Sequence, residues 1–251
     1  MSAKNEAKPV KTTVHFTLQG KGGVGKSLIS SFLAQYLQTV DGCEVKCVDT
    51  DPVNQTLVKY KALNAQYLNL RHESSKIDER EFDKLMERLM TEDGAFVVDN
   101  GASSFVPMSN YMIENNVIPM LKDAGREVYI HSVITGGQAL MDTLHGFTVL
   151  AKQANTGNII IWLNEFFGAI ESNGKTFTEM KAYVDNKDQV KGVVRIAKRN
   201  QDTFGKDLEL MAAKQLTFAE VINGDEFSLM AKQRIKTVQR DIFDQLAAVG
   251  F

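Results

Sequence analysis

Cysteine is scarce in this chain. Cys43 and Cys47 are the only two in 251 residues, too few for a disulfide framework. Four positions apart across the start of a predicted strand, they are badly spaced for a metal site and read as buried thiols. An excess of positive charge is also missing: 29 Lys and Arg stand against 31 Asp and Glu, a formal net charge of −2. Any surface for nucleic acid must therefore be a local patch. No apolar run reaches the length of a membrane span. Residues 1–13 are polar and lysine-rich without an apolar centre, so they read as a short flexible lead-in and not as a secretory signal. His15, His72, His131 and His145 show no metal-ligand spacing. No linker, repeat or low-complexity segment divides the chain, so 14–251 is expected to be one domain. Its 43% hydrophobic content is enough for a sizeable core.

Against these absences stands one dense stretch, Gly20-Lys21-Gly22-Gly23-Val24-Gly25-Lys26-Ser27. It fits the P-loop template of a Gly, four residues, then Gly-Lys-Ser/Thr. Val14 to Leu18 before it has the composition of a strand, and Leu28 to Val40 after it has helical spacing. The chemistry accounts for the residue types. A phosphate chain needs backbone N–H donors pointing inward, and glycines let the backbone come close. The helix N-terminus adds a positive dipole end. Lys26 is expected to reach the β- and γ-phosphates and the Ser27 hydroxyl to ligate Mg²⁺. The cradle is assigned to Gly20, Lys21, Gly22, Gly23, Val24, Gly25, Lys26, Ser27 and Leu28.

Strand and helix patterns then alternate along the chain. Strands are expected at 44–49, 67–70, 95–99, 128–134, 158–163 and 192–196. Helical patterns cover 54–61, 78–90, 105–117, 138–153, 207–214 and 225–248. This alternation predicts an α/β fold: a single P-loop domain, mostly parallel sheet, helices on both faces in three α/β/α layers.

Ligands of such sheets bind beyond the C-terminal ends of the strands. Asp49, Asp51 and Asp99 are all expected there. Asp99 closes the apolar run Ala95-Phe96-Val97-Val98, as a Walker B carboxylate does, and is expected to hold Mg²⁺ through a water. An Asp at that place also caps helices, and Asp51-Pro52 also suits a helix start.

Lys21, five positions before Lys26, refines the motif. Lys-Gly-Gly-x-x-Gly-Lys-Ser resembles the deviant Walker A of the ParA/MinD/nitrogenase-iron-protein group of P-loop ATPases. That resemblance implies a homodimer formed on ATP binding, with Lys21 reaching the partner's nucleotide and stabilising transition-state charge. Asp49-Thr50-Asp51-Pro52 is similar to the second signature of the group. By that resemblance Asp51 positions the attacking water and joins Ser27 and Asp99 around the metal. Asp49 then sits near the metal's water shell, and the relative roles of the two stay open. The catalytic set so implied is Lys21, Lys26 and Asp51, with ATP and Mg²⁺ bound. Asn164, closing Trp162-Leu163-Asn164, resembles the adenine-reading Asn of ParA-like ATPases. The second adenine contact falls on the backbone near Ile196, where Ala197 stands in place of a common Pro.

Longer segments, Gln19 to Ser27, Asp49 to Asn54, Asp99 to Pro107 and Thr135 to Leu140, are similar to a plasmid-encoded branch of the group. The branch implies a role in conjugative transfer or in plasmid partition and stability, with the corresponding plasmid proteins as partners. The pattern departs at Gly101-Ala102, where Pro-Pro is usual. The resemblance also implies non-specific DNA binding through basic residues such as Lys232, Lys236 and Arg240, which share one helical stripe. A basic membrane-binding C-terminal helix is not expected, because Asp241 and Asp244 oppose an anionic surface. A cytoplasmic location follows. The competing function is a small-molecule kinase or amide-forming synthetase of the same superfamily, although no second catalytic constellation is visible.

Overall fold

The computed structural model describes residues 12–40, 42–71, 77–154 and 158–251. His72 and residues 1–11 of the expected lead-in lie outside them. In chain order the strands are β1 (Thr13–Thr17), β2 (Val45–Asp49), β3 (Gln66–Tyr67), β4 (Ala95–Asp99), β5 (Glu127–Thr135) and β6 (Ile159–Asn164). A small hairpin of β7 (Glu171–Ser172) and β8 (Lys175–Thr176) precedes β9 (Val190–Ile196). The helices are α1 (Lys26–Leu37), α2 (Arg80–Thr91), α3 (Phe105–Glu114), α4 (Val117–Asp123) and α5 (Leu140–Ala154). They are followed by α6 (Lys181–Val184), α7 (Lys206–Ala213), α8 (Phe218–Asn223) and α9 (Leu229–Val249).

Seven strands form one parallel sheet in the order β3-β2-β4-β1-β5-β6-β9. A parallel sheet covered on both faces has strands that are apolar throughout, as in Ala95-Phe96-Val97-Val98 and Ile159-Ile160-Ile161-Trp162. Alternate residues feed two cores. Phe16, Phe96, Val98 and Ile130 pack with α2, α3, α4 and α5 on one face. Val97, Tyr129, Val133 and Trp162 pack with α1, α7, α8 and α9 on the other. Each large side chain taken out of water here stabilises the fold by about 1.5–3 kcal/mol. In this register the C-terminal ends of β1, β2, β4, β5 and β6 form one edge, and the loops along it carry the predicted site.

Three differences from the sequence reading have local causes. The expected 54–61 helix is two 3₁₀ turns, Leu57–Lys59 and Lys61–Leu63. The Asp49 carboxylate accepts the N–H groups of Leu57 and Val58 at 2.8 and 3.2 Å, which holds that loop against β2. The expected 105–117 helix breaks into α3 and α4 because Asn116 takes a left-handed conformation, φ 49°. The short α8 arises from a capping box in which Thr217 and Glu220 satisfy each other's backbone N–H groups.

Candidate nucleotide site

The loop from Gly20 to Gly25 runs from β1 into α1. Gly25 caps α1 with φ 98°, a left-handed conformation that glycine adopts without strain. It also has no room for a side chain: a β-carbon there would sit 2.9 Å from Asn164 Nδ2. Lys26, the first helical residue, is buried, and its Nζ donates to the Lys21 carbonyl at 2.9 Å, back across the loop. Burial pulls its ammonium below the usual lysine range, and the Asp99 and Asp51 carboxylates oppose that shift. A desolvated cation on a glycine-rich loop, with exposed Gly22 and Gly23 beside it, is a fit for a bound polyphosphate.

Asp99 ends β4 beneath this loop. Burial raises its carboxyl to about 7, and Asp49 adds to the rise, while the Ser27 and Ser30 hydroxyls and Lys26 act against it. Ser30 Oγ lies 2.9 Å from Asp99 Oδ1 and 2.8 Å from Thr17 Oγ1. A hydroxyl has one proton, so if Ser30 donates to Asp99 it accepts from Thr17. A buried carboxylate of raised pKa beside Ser27 is suited to a divalent cation, whose charge would offset the burial.

Asp49 and Asp51 have different surroundings. Asp49 is fully buried, and its two oxygens accept three backbone N–H groups, those of Asp51, Leu57 and Val58. Burial nonetheless raises its pKa overall. Asp51 stands two residues further on, near enough to the P-loop lysine for its charge to act on it. Its Oδ1 accepts the backbone N–H groups of Val53 and Asn54 at 2.8 and 3.2 Å, and among the described residues its Oδ2 accepts only the Asn54 side-chain amide, at 3.2 Å. A β-carbon built on Gly101 would fall 2.6 Å from Asp51 Cγ, so residue 101 must be glycine for Asp51 to sit there.

Lys21 leaves the loop in the other direction. Its Nζ pairs with Asp142 Oδ2 at 2.8 Å, in the first turn of α5, with both side chains about half exposed. Gln19 anchors the loop beneath it: Nε2 donates to the carbonyls of Val133 and Thr143 at 3.0 and 3.1 Å. Asn164 and Ile196 face each other in the β6–β9 register. Asn164 Nδ2 donates to the Val24 carbonyl at 3.0 Å, and its Oδ1 accepts the Phe166 N–H. Beyond them a cavity of about 290 Å³ is lined by Phe166, Ile196, Ala197 and Phe204 among others.

The pattern of the CobQ/CobB/MinD/ParA nucleotide-binding domain matches residues 16–234. The chain belongs to that family. Within it, the chain is 44% identical over 238 residues to Protein TraL of Escherichia coli, covering 94% of this chain and 98% of that protein. Among solved structures it resembles a ParA family ATPase from Chlorobium tepidum, with a TM-score of 0.52, 15% identity and coverage of 91% and 98% of the two chains. It also resembles a plasmid partition protein from Borrelia burgdorferi bound to AMPPNP, with a TM-score of 0.50, 14% identity and coverage of 93% and 99%. These two share the fold.

For this ParA/MinD-type domain, several neighbours of the site escape sequence reading. Ser30 and Thr17 are ordinary residues of a helix and a strand, and only the packing of α1 on β4 brings them to Asp99. Asp142 lies 121 positions from Lys21, and no motif joins them. On the opposite face, Lys236 and Arg240 of α9 are exposed and Lys232 is half-buried, on a stripe beside the buried Ala231, Ile235, Val238, Ile242 and Leu246. Arg195, in β9, and Arg199, just after it, are paired with Glu165 and Asp241 at 2.9 and 2.8 Å. Among the described residues no helix is long and apolar enough to cross a membrane.

Proposed function

We propose that this chain is an Mg-ATP-dependent dimerising switch that hydrolyses ATP slowly and acts in conjugative plasmid transfer or plasmid partition. The observation that carries the reading is the division between its two loop lysines. Lys26 is buried over Asp99 and Asp51, whereas Lys21 extends along the rim to Asp142. In this reading one lysine serves the chain's own nucleotide and the other a second copy's. Four exposed apolar residues support a face-to-face dimer: Val53, Val106, Met141 and Phe167. Each follows the C-terminal end of a different strand, β2, β4, β5 or β6, so all four border the nucleotide edge.

In this reading the backbone of Gly20 to Leu28 and the Lys26 ammonium hold the phosphates. Ser27 and Asp99 would hold Mg²⁺, with Asp51 beside them. Bound Mg²⁺ would neutralise phosphate charge as the terminal bond breaks. Asp51 accepts a hydrogen bond from the attacking water and aligns it. Asp49, saturated by backbone donors, acts by holding the 51–58 loop so that Asp51 stays in place. The base enters the cavity between Phe166 and Phe204 against Ile196, with Asn164 opposite Ile196 on the neighbouring strand. Lys232, Lys236 and Arg240 add phosphate contacts to non-specific DNA.

TraL homology carries the plasmid setting. The domain organisation proposed is a short lead and one ATPase domain, in a cytoplasmic protein, with the boundary expected after residue 13 moved ahead of Thr13, which opens β1. Sedimentation velocity with saturating Mg-AMPPNP tests the switch. Wild type should dimerise, and Lys26→Ala and Lys21→Ala should stay monomeric. A monomeric wild type would sink the proposal. ATP turnover that starts only when a small-molecule substrate is added would favour a kinase or synthetase instead.

A further inference from the structure

A cavity of about 430 Å³ opens on the face of the sheet away from the P-loop helix, between α3, α4 and α5. This lies within the range of small-molecule pockets, about 300–1,000 Å³. Leu18 and Ile130 form its floor, and Met112, Ile118 and Leu150 form its walls. Asn116, Lys122, Asp123 and Gln153 add polar groups to the lining, and Ser109 lies among the apolar walls. Ser109 is only 6% exposed, and its hydroxyl oxygen is buried without a hydrogen-bond partner. An unpaired buried hydroxyl costs about 1–3 kcal/mol. A residue filled only for packing would be Ala here, since α3 needs no hydroxyl at that position.

We infer that this cavity is a second ligand site, taking a small amphipathic molecule with an apolar body and one hydrogen-bond acceptor that meets the Ser109 hydroxyl. Its position couples it to the nucleotide edge. Leu18 is two residues before Gly20, and the Phe105 ring at the start of α3 lies against Gly20. Ser104, just before α3, donates to Asn100 Oδ1 at 2.8 Å, next to Asp99. An occupant that fixes α3 therefore bears on both the loop and the strand end that carries Asp99. This coupling, unlike the site itself, rests on the nucleotide reading above.

Titration with 1-anilinonaphthalene-8-sulfonate, whose naphthalene is apolar and whose sulfonate accepts hydrogen bonds, tests the site. A single equivalent should bind wild type. Ser109→Ala should weaken binding about fivefold. Ile113→Trp, which places an indole at the mouth, should abolish it while leaving the circular dichroism spectrum unchanged. Binding that ignores both substitutions overturns the site. So does a Ser109→Ala variant that is merely more stable, with unaltered probe affinity. Saturating Mg-AMPPNP should shift the probe's Kd about threefold or more, by linkage. An unshifted Kd overturns the coupling. AMPPNP affinity measured on the same samples distinguishes a failed coupling from a failed nucleotide site.

Discussion

The Asp51 carboxylate occupies the space that a side chain on Gly101 would need. A β-carbon at 101 would lie 2.6 Å from both Cγ and Oδ1 of Asp51 and 3.0 Å from its Cα. The glycine that replaces the usual Pro of the ParA pattern is thus matched to the placement of a carboxylate from another strand. The Asp51 backbone cannot yield easily, because its N–H is held by Asp49 at 2.9 Å.

Gly101→Ala should therefore move Asp51 with little effect on nucleotide binding. Overpacking of this kind costs about 1–3 kcal/mol. Phosphate release should fall by about tenfold or more, as expected when a group that aligns the attacking water is displaced, while AMPPNP affinity stays near wild type. A variant that hydrolyses at the wild-type rate would remove Asp51 from the water-positioning role. Asp51→Ala should show the same loss without the steric effect.

The nucleotide loop and Asp99 are legible in the sequence because each is local: a glycine spacing, and a carboxylate that closes a run of buried strand residues. The parallel sheet is legible for the same reason, since strands buried on both faces must be apolar throughout. The division of labour between Asp49 and Asp51 is not. It depends on where the N–H groups of Leu57 and Val58 fall, and those follow from a loop conformation with Gln55 at φ 45°. The break between α3 and α4 and the hairpin before α6 are hidden for a like reason: short elements carry too few residues to establish a period. Gly101 shows only as a departure from a pattern, and its reason is a tertiary contact.

The Lys21–Asp142 pair tests the second lysine. With both side chains about half exposed, the pair adds roughly 0–1 kcal/mol to stability. Asp142→Asn should leave the melting temperature almost unchanged. It should free Lys21 for a second protomer and strengthen Mg-AMPPNP-dependent dimerisation about two- to fivefold. Sedimentation velocity across a concentration series reads the shift. Weaker dimerisation would mean that Asp142 holds Lys21 in its working position instead of restraining it.

Asp99 gives a prediction with a definite sign. Its folded pKa is raised to about 7 by burial, so the folded chain takes up a proton that the unfolded chain releases between about pH 4 and 7. The associated stability is complete below the unfolded pKa and lost as pH rises through 7. Three units correspond to about 4 kcal/mol as an upper bound. Asp99→Asn should then stabilise the nucleotide-free protein at pH 8 by about 1–4 kcal/mol. The same substitution should remove the Mg²⁺-dependent part of stabilisation by AMPPNP. Urea unfolding with and without Mg-AMPPNP measures both. A less stable Asp99→Asn protein would contradict the burial argument.

The two core histidines act in the opposite direction. Trp162 Nε1 can only donate, and it donates to His131 Nδ1 at 2.9 Å. A neutral His131 then carries its proton on Nε2 and donates to His15 Nδ1 at 3.1 Å, and His15 Nε2 donates to Thr13 Oγ1 at 3.0 Å. One tryptophan thus sets both tautomers. Burial lowers His131 to about 3. It also lowers His15 well below the usual range, helped by the nearby His131 and Lys191. Tyr129 stacks on His15, and Phe251 packs edge-on against it, which leaves no water to solvate an imidazolium. The unfolded histidines protonate below about 6.5 and the folded ones do not, so stability is lost as pH falls from there. At pH 5 His131 alone accounts for about 2 kcal/mol. Protonation of Asp99 between pH 7 and 5 returns a similar amount, about 2 kcal/mol. The wild-type loss should therefore reflect mainly the remaining histidine, and Asp99→Asn, lacking the offset, should lose about 2 kcal/mol more over the same range. Urea unfolding of both proteins from pH 7 to 5 checks this. Parallel curves would show that Asp99 titrates near its ordinary value in the folded chain, and an Asp99→Asn curve that stays flat would show the same of the histidine pair.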